Sequence, residues 1–219
     1  MGNNNDGLIA GYPNTINSTS PLPQSVAGLI VAESGVSTQA VAGGYLGQSV
    51  NTEILSPTAV VLTTAYGYLT RVYVPVSGTS TYLDVIFTAY GSPSNSIWGL
   101  YTATGVGPVA WTAESHALIT ANGLTSVPWV TPVALTPGYY YVFQEHTATT
   151  PSMPAVTATA TGSVGAAVMN PNCSLSATVP TLNSAVLTSG APTTIGATTT
   201  LAWGTSWALS ASKLWYGIR

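Results

Sequence analysis

The chain has 219 residues, of which only three are Lys or Arg and six are Asp or Glu: 4% charged, against roughly 25% in an average globular protein, with a net charge of −3. Arg71, Lys213 and Arg219 are too few and too scattered to neutralise a run of nucleic-acid phosphates, so no nucleic-acid partner is expected. No apolar run approaches the ~18 residues of a membrane-spanning helix, so no membrane partner is expected, and a 46% hydrophobic composition supplies core material for one domain and argues against disorder throughout.

Residues 1–55 differ from the rest. Asn, Pro, Ser and Gly surround short apolar islands at Leu8–Ala10 and Val26–Ala32, and Pro13, Pro21 and Pro23 interrupt any long element. This stretch reads as an extended N-terminal arm, and about 50 extended residues reach on the order of 150 Å. Met1–Asp6 lacks the basic and apolar regions of a secretory signal, so the sequons at Asn17 and Asn172 are read as chance.

From residue 56 the pattern is β. Thr58–Thr64 is a β-branched run. In Gly67–Val76, Tyr68, Thr70, Val72 and Val74 fall on one face, Leu69, Arg71 and Tyr73 on the other, and Pro75 marks an end. Thr81–Tyr90 sets Leu83, Val85, Phe87 and Ala89 against Tyr82, Asp84, Ile86, Thr88 and Tyr90, and Gly91–Asn95 is a turn. Strands follow at Ile97–Ala103, Val109–Thr112 and Thr125–Val133, the last broken by Pro128 and Pro132. After Pro137-Gly138, Tyr139–His146 places Tyr140 and Val142 opposite Tyr139, Tyr141 and Phe143. Residues 147–200 read as long loops with a short strand near Ser176–Val179, and Thr198–Trp203 and Lys213–Ile218 as closing strands. Many short strands with Gly/Pro turns imply an all-β sandwich or barrel, residues 56–219.

Chemistry has little to work with. The acid–base candidates are Asp84, Glu114, Glu145, His116 and His146. Glu145 and His146 are adjacent in a strand and face opposite ways. Glu114 and His116 share a face only if extended, and Glu-x-His alone is a weak signal. Neither Gly-x-Ser-x-Gly nor a phosphate loop ending in Gly-Lys-Ser/Thr occurs. The carboxylates and two His are too dispersed for a metal site. Cys173 is alone, which rules out an intramolecular disulfide and reads as a small buried residue. No catalytic, metal or cofactor-binding residue is assigned, and no enzyme is expected. Six Trp and twelve Tyr against two Phe favour interfaces and sugar-stacking surfaces. Trp98, Trp111, Trp129, Trp203, Trp207 and Trp215 are expected to pack for the most part, with one or two aromatic rings exposed to a subunit or a host glycan.

A set of motifs carries a resemblance. They are Thr70–Val76 (Thr-Arg-Val-Tyr-Val-Pro-Val), Gly99–Gly105 (Gly-Leu-Tyr-Thr-Ala-Thr-Gly), Thr112-Ala113-Glu114, Gly123–Trp129, Pro137–Val142 and Leu175–Leu182, with a Trp-rich closing strand. Residues 57–219 resemble a module of virion proteins of tailed bacteriophages, especially those infecting actinobacteria. The resemblance implies a jelly-roll-like antiparallel β-sandwich used in capsid decoration and minor tail proteins. It implies the major capsid protein or other virion proteins as partners, a virion-surface location, and no catalytic residues. The shortage of surface charge predicts a homo-oligomer, with a trimer favoured.

Overall fold

The computed structural model describes residues 44–50, 59–91, 95–113, 119, 121–147, 149–157, 166, 169–170, 183–201 and 207–219. The expected arm through residue 43, Glu114, His116, Cys173, Trp203 and the strand near Ser176–Val179 lie outside them.

The fold is all-β and antiparallel, a sandwich that nearly closes into a barrel. Its main strands are β3 (Gly67–Val74), β4 (Gly78–Phe87), β5 (Asn95–Tyr101), β7 (Gly123–Leu135) and β8 (Gly138–Thr147). Shorter ones are β1 (Gly47–Gln48), β2 (Val60–Val61), β6 (Ala110–Trp111), β9 (Ser152–Met153), β10 (Ala155–Thr157), β11 (Ser184–Leu187), β12 (Trp207–Leu209), β13 (Ser212–Leu214) and β14 (Tyr216–Ile218). The main sheet runs β6-β5-β8-β3-β1-β14-β4-β7, with β11 and β12 branching from β3. A bridge between Thr112, just after β6, and Trp129 of β7 joins its two ends. Edges of this kind attract unwanted strand pairing, and joining them removes the exposed ladder.

The two faces of β3 and β8 explain the core. Tyr68, Val72, Val74, Tyr140 and Val142 point into the main core with Leu83, Val85, Phe87, Trp98 and Tyr216. Leu69, Tyr141 and Phe143 point the other way and pack with Tyr101, Leu187, Leu201 and Trp207 in a second core. The period-2 assignment for β3 and β8 therefore holds. Both faces are covered at these strands, which is why they read as near-continuous apolar runs.

Three expectations need correction. Gly47–Gln48 falls within the stretch read as arm, yet β1 sits between β3 and β14 in the sheet. Ser49 Oγ donates to the Leu214 carbonyl at 2.7 Å and accepts from the Tyr216 amide at 2.8 Å, fixing the segment. Two residues show no periodicity, so only long-range pairing can define such a strand. Second, β7 is continuous through both prolines. The β4–β7 register shifts between Ser80 and Tyr82, which pair with Val133 and Pro128 respectively. Pro132 lies in that shift and owes no ladder hydrogen bond, while the amides of Thr81 and Tyr82 donate instead to the Arg219 carbonyl at 2.8 Å. Third, Thr198–Leu201 forms no strand, and Lys213–Ile218 splits at Trp215. β13 pairs with β10, whereas β14 pairs with β1 and β4.

Trp98, Trp129, Trp207 and Trp215 are buried and Trp111 is half-buried. The most exposed of the described aromatic residues are Tyr82 and Tyr139.

Candidate functional site

Of the acid–base candidates, Asp84, Glu145 and His146 lie among the described residues, and these three do not converge. Asp84 is buried on β4, where Arg219 Nε lies 3.4 Å from its Oδ2. Tyr45 is hydrogen-bonded to the same carboxylate. Burial, then that bond and the carboxylate charge, push its phenol up to about 12, opposed by Arg219. Glu145 and His146 are both buried on opposite faces of β8. His146 Nδ1 shares a 2.7 Å hydrogen bond with Ser96 Oγ, and Phe87 and Trp98 pack edge-on to its ring. The pair resembles a nucleophile with its base, but Ser96 is wholly buried, and His146 Nε2 has no partner to orient the ring. It is a packed element of the core. Among the described residues, no three His, Cys, Asp or Glu side chains cluster as metal ligands would.

A different set of residues does converge. β1 and β11 share one edge of β3: β11 pairs with Gly67–Thr70, and Gln48 of β1 pairs with Tyr73. At the junction the Arg71 amide donates to the Asn183 carbonyl at 2.9 Å. A pocket of about 210 Å³ opens there, lined by Gln48, Ser49, Arg71, Tyr73, Tyr139, Asn183 and Lys213.

The register builds this pocket. Gln48, Tyr73 and Tyr139 stand opposite one another across β1, β3 and β8, so their side chains share a face. Arg71 lies two residues from Tyr73 on that face and reaches diagonally across the sheet, placing its guanidinium carbon 4.6 Å from the centre of the Tyr139 ring. The Tyr73 and Tyr139 rings are tilted against each other at 4.9 Å.

The far wall is held by buried polar groups. Asn170 Oδ1 accepts from the amides of Asn183 and Ser184 at 2.8 and 3.0 Å, and its Nδ2 donates to the Ser210 carbonyl at 2.9 Å. Ser184 Oγ donates to the Ser212 carbonyl at 2.6 Å. These bonds set Asn183 beside Lys213, on a strand that belongs to the separate β10–β13 pair.

Electrostatically the pocket is one-sided. Arg71 and Lys213 both line it, and neither described carboxylate, Asp84 or Glu145, does. Burial, and secondarily the Arg71 charge, push the Lys213 ammonium down to about 7. The buried Gln48 Oε1 has no donor. The pocket therefore offers two cationic donors and one free acceptor, suited to holding an anion that also carries a hydroxyl.

Sequence reasoning considered Arg71 and Lys213 only as poor phosphate binders. The alternation in β3 did place Arg71 and Tyr73 on one face, but nothing local brings Lys213 to them. Neither a protein-family model nor a curated protein matches this chain.

Proposed function

We propose that this chain is a non-enzymatic structural protein of a tailed-phage virion, a capsid decoration protein anchored to the major capsid lattice through its N-terminal arm. The resemblance of residues 57–219 to virion modules motivates the reading, and the all-β sandwich is the fold that this resemblance implies. One structural observation carries it furthest. The strands β4 and β7 turn outward a surface in which Tyr82, Leu124 and Val130 are 38%, 58% and 53% exposed, with Arg219 beside Tyr82 as a charged group. Such a face suits contact with other protein copies, in keeping with a homo-oligomer, favoured as a trimer. With few titratable or screenable surface groups, an assembly built this way changes little with salt.

Antibody-gold electron microscopy on phage particles from the source of this chain tests the proposal. Regular label over the head supports it. Label confined to the tail replaces it with a minor tail or fibre protein, and no label on intact or disrupted particles overturns the virion reading. A monomer by light scattering at micromolar concentration counts against the oligomer.

A further inference from the structure

The pocket between β1, β3, β8 and β13 can be read independently of any virion role. It gathers two of the three basic side chains of the whole sequence. Two cations share this half-buried space with no counter-charge among the described residues, so they repel each other, and burial penalises the Lys213 charge. A fold that needed only packing would place apolar groups there at lower cost. The walls are nevertheless well determined: the Asn170 clamp, the Ser184–Ser212 bond and the Ser49 bonds to β13 and β14 fix β1, β11 and β13, and ladder pairing holds β1, β3 and β8 together. A rigid site in which no described residue supplies negative charge is preorganised for an anion.

The remaining groups narrow the class. The Arg71 guanidinium is planar and presents paired N–H donors that match a carboxylate. Gln48 Oε1 is buried and asks for a donor, which a carboxylate cannot supply but a hydroxyl can. Tyr73 and Tyr139 give an aromatic flank, half exposed at Tyr139, against which a saturated ring can lie. The space of about 210 Å³ accommodates one small ring and no more.

We propose that this pocket binds a single carboxylated sugar residue, with its carboxylate between Arg71 and Lys213, a ring hydroxyl donating to Gln48 Oε1, and the ring beside Tyr73 and Tyr139. The inference goes beyond the structural role and does not rest on it.

Lys213 adds a signature. The charged and titratable groups that line the pocket with it are Arg71 and Tyr73 of β3 and Tyr139 of β8, while Gln48, Ser49 and Asn183 carry no charge. With its ammonium pushed down to about 7 by burial and the Arg71 charge, Lys213 loses its proton on going above neutral pH. An anion restores the proton, so binding takes up protons and weakens in alkali.

The test is calorimetric titration of the full chain with sodium glucuronate, glucose and inorganic phosphate. Glucuronate is expected to bind with a Kd on the order of 1 mM near pH 6, at least ~10-fold more tightly than glucose or phosphate. Its affinity should fall about 10-fold or more between about pH 6 and pH 9, and Lys213→Arg, which keeps its charge, should hold it. Lys213→Met and Arg71→Gln should each abolish binding, with folding checked by circular dichroism. Equal binding of glucose, binding of phosphate as tight as that of glucuronate, or glucuronate binding unchanged in a folded Lys213→Met would each overturn the proposal. Should Lys213→Met fail to fold, the unmodified protein still decides: a glucuronate affinity flat from about pH 6 to pH 9 overturns it.

Discussion

Arg219 Nε stands 3.4 Å from Asp84 Oδ2, the one ion pair among the described residues. The two partners are unequal, because the Asp84 side chain is 3% exposed and that of Arg219 is 47% exposed. Arg219 also donates from Nη2 to Ser126 Oγ at 2.8 Å, and its guanidinium lies over the Tyr82 ring at 5.2 Å. Together these contacts tie β14 to β4 and β7.

Arg219→Ala should therefore cost more than a surface ion pair, about 2 kcal/mol, because it leaves a buried carboxylate with the Tyr45 phenol as its remaining partner. Asp84→Asn should cost less, since it removes the charge that needs compensation. Urea unfolding at neutral pH measures both. Equal losses would mean that Arg219 acts through packing on Tyr82 alone.

Glu145 and His146 predict a pH dependence. The Glu145 carboxyl oxygens are buried without partners, and burial pushes the group from 4.5 up to about 7. Above pH 4.5 the unfolded chain releases a proton that the folded chain keeps, so stability present below 4.5 is lost as pH rises through 7. Burial pushes His146 from 6.5 down to about 3. Below 6.5 the unfolded chain takes a proton that the folded chain refuses, so stability falls towards acid. Between the two unfolded values the slopes oppose and cancel. Glu145→Gln should remove the alkaline-side loss alone. The difference between its urea midpoint and that of the parent should be constant below about pH 4.5 and grow up to about pH 7. A difference that does not vary with pH would show that Glu145 ionises normally. The Lys213 shift acts above this window.

Gln144 is a second buried polar group whose role is measurable. Its Oε1 accepts from Trp98 Nε1 at 2.8 Å, and its Nε2 donates to Met153 Sδ at 3.2 Å, so one side chain links β5, β8 and β9. Gln144→Ala opens a cavity and strands the indole N–H, with an expected loss of about 3 kcal/mol. Chemical denaturation checks the loss, and the blue shift of tryptophan emission on losing the indole bond checks its cause.

Truncation distinguishes arm from sheet. Deleting residues 1–43 should leave the unfolding midpoint of the sandwich nearly unchanged and abolish attachment to the capsid. Deleting residues 1–50 removes β1 and the Ser49 bonds to Leu214 and Tyr216, exposing the facing edges of β3 and β14, and should destabilise the domain by several kcal/mol. Unchanged attachment after the shorter deletion would remove the arm from the proposed function.

Much of the fold was legible from local pattern. The alternation in Gly67–Val74 and Tyr139–His146 assigns each side chain to a face, because successive residues of a strand point to opposite sides whatever lies beyond them. Partnership was not legible. That Glu145 and His146 would both be buried needed cover on both faces of β8, from the main core on the His146 side and from β11, β12 and Leu201 on the other. That Gly47–Gln48 would be a strand, and that Pro132 would fall in a register shift, depended on Tyr73, Ile218 and Arg219. The candidate site shows the division most clearly. Sequence alone put Arg71 and Tyr73 on one face. Lys213, Asn183 and Gln48 reached that face only through pairings between residues far apart in the chain, and no local periodicity encodes the free energy of such pairings.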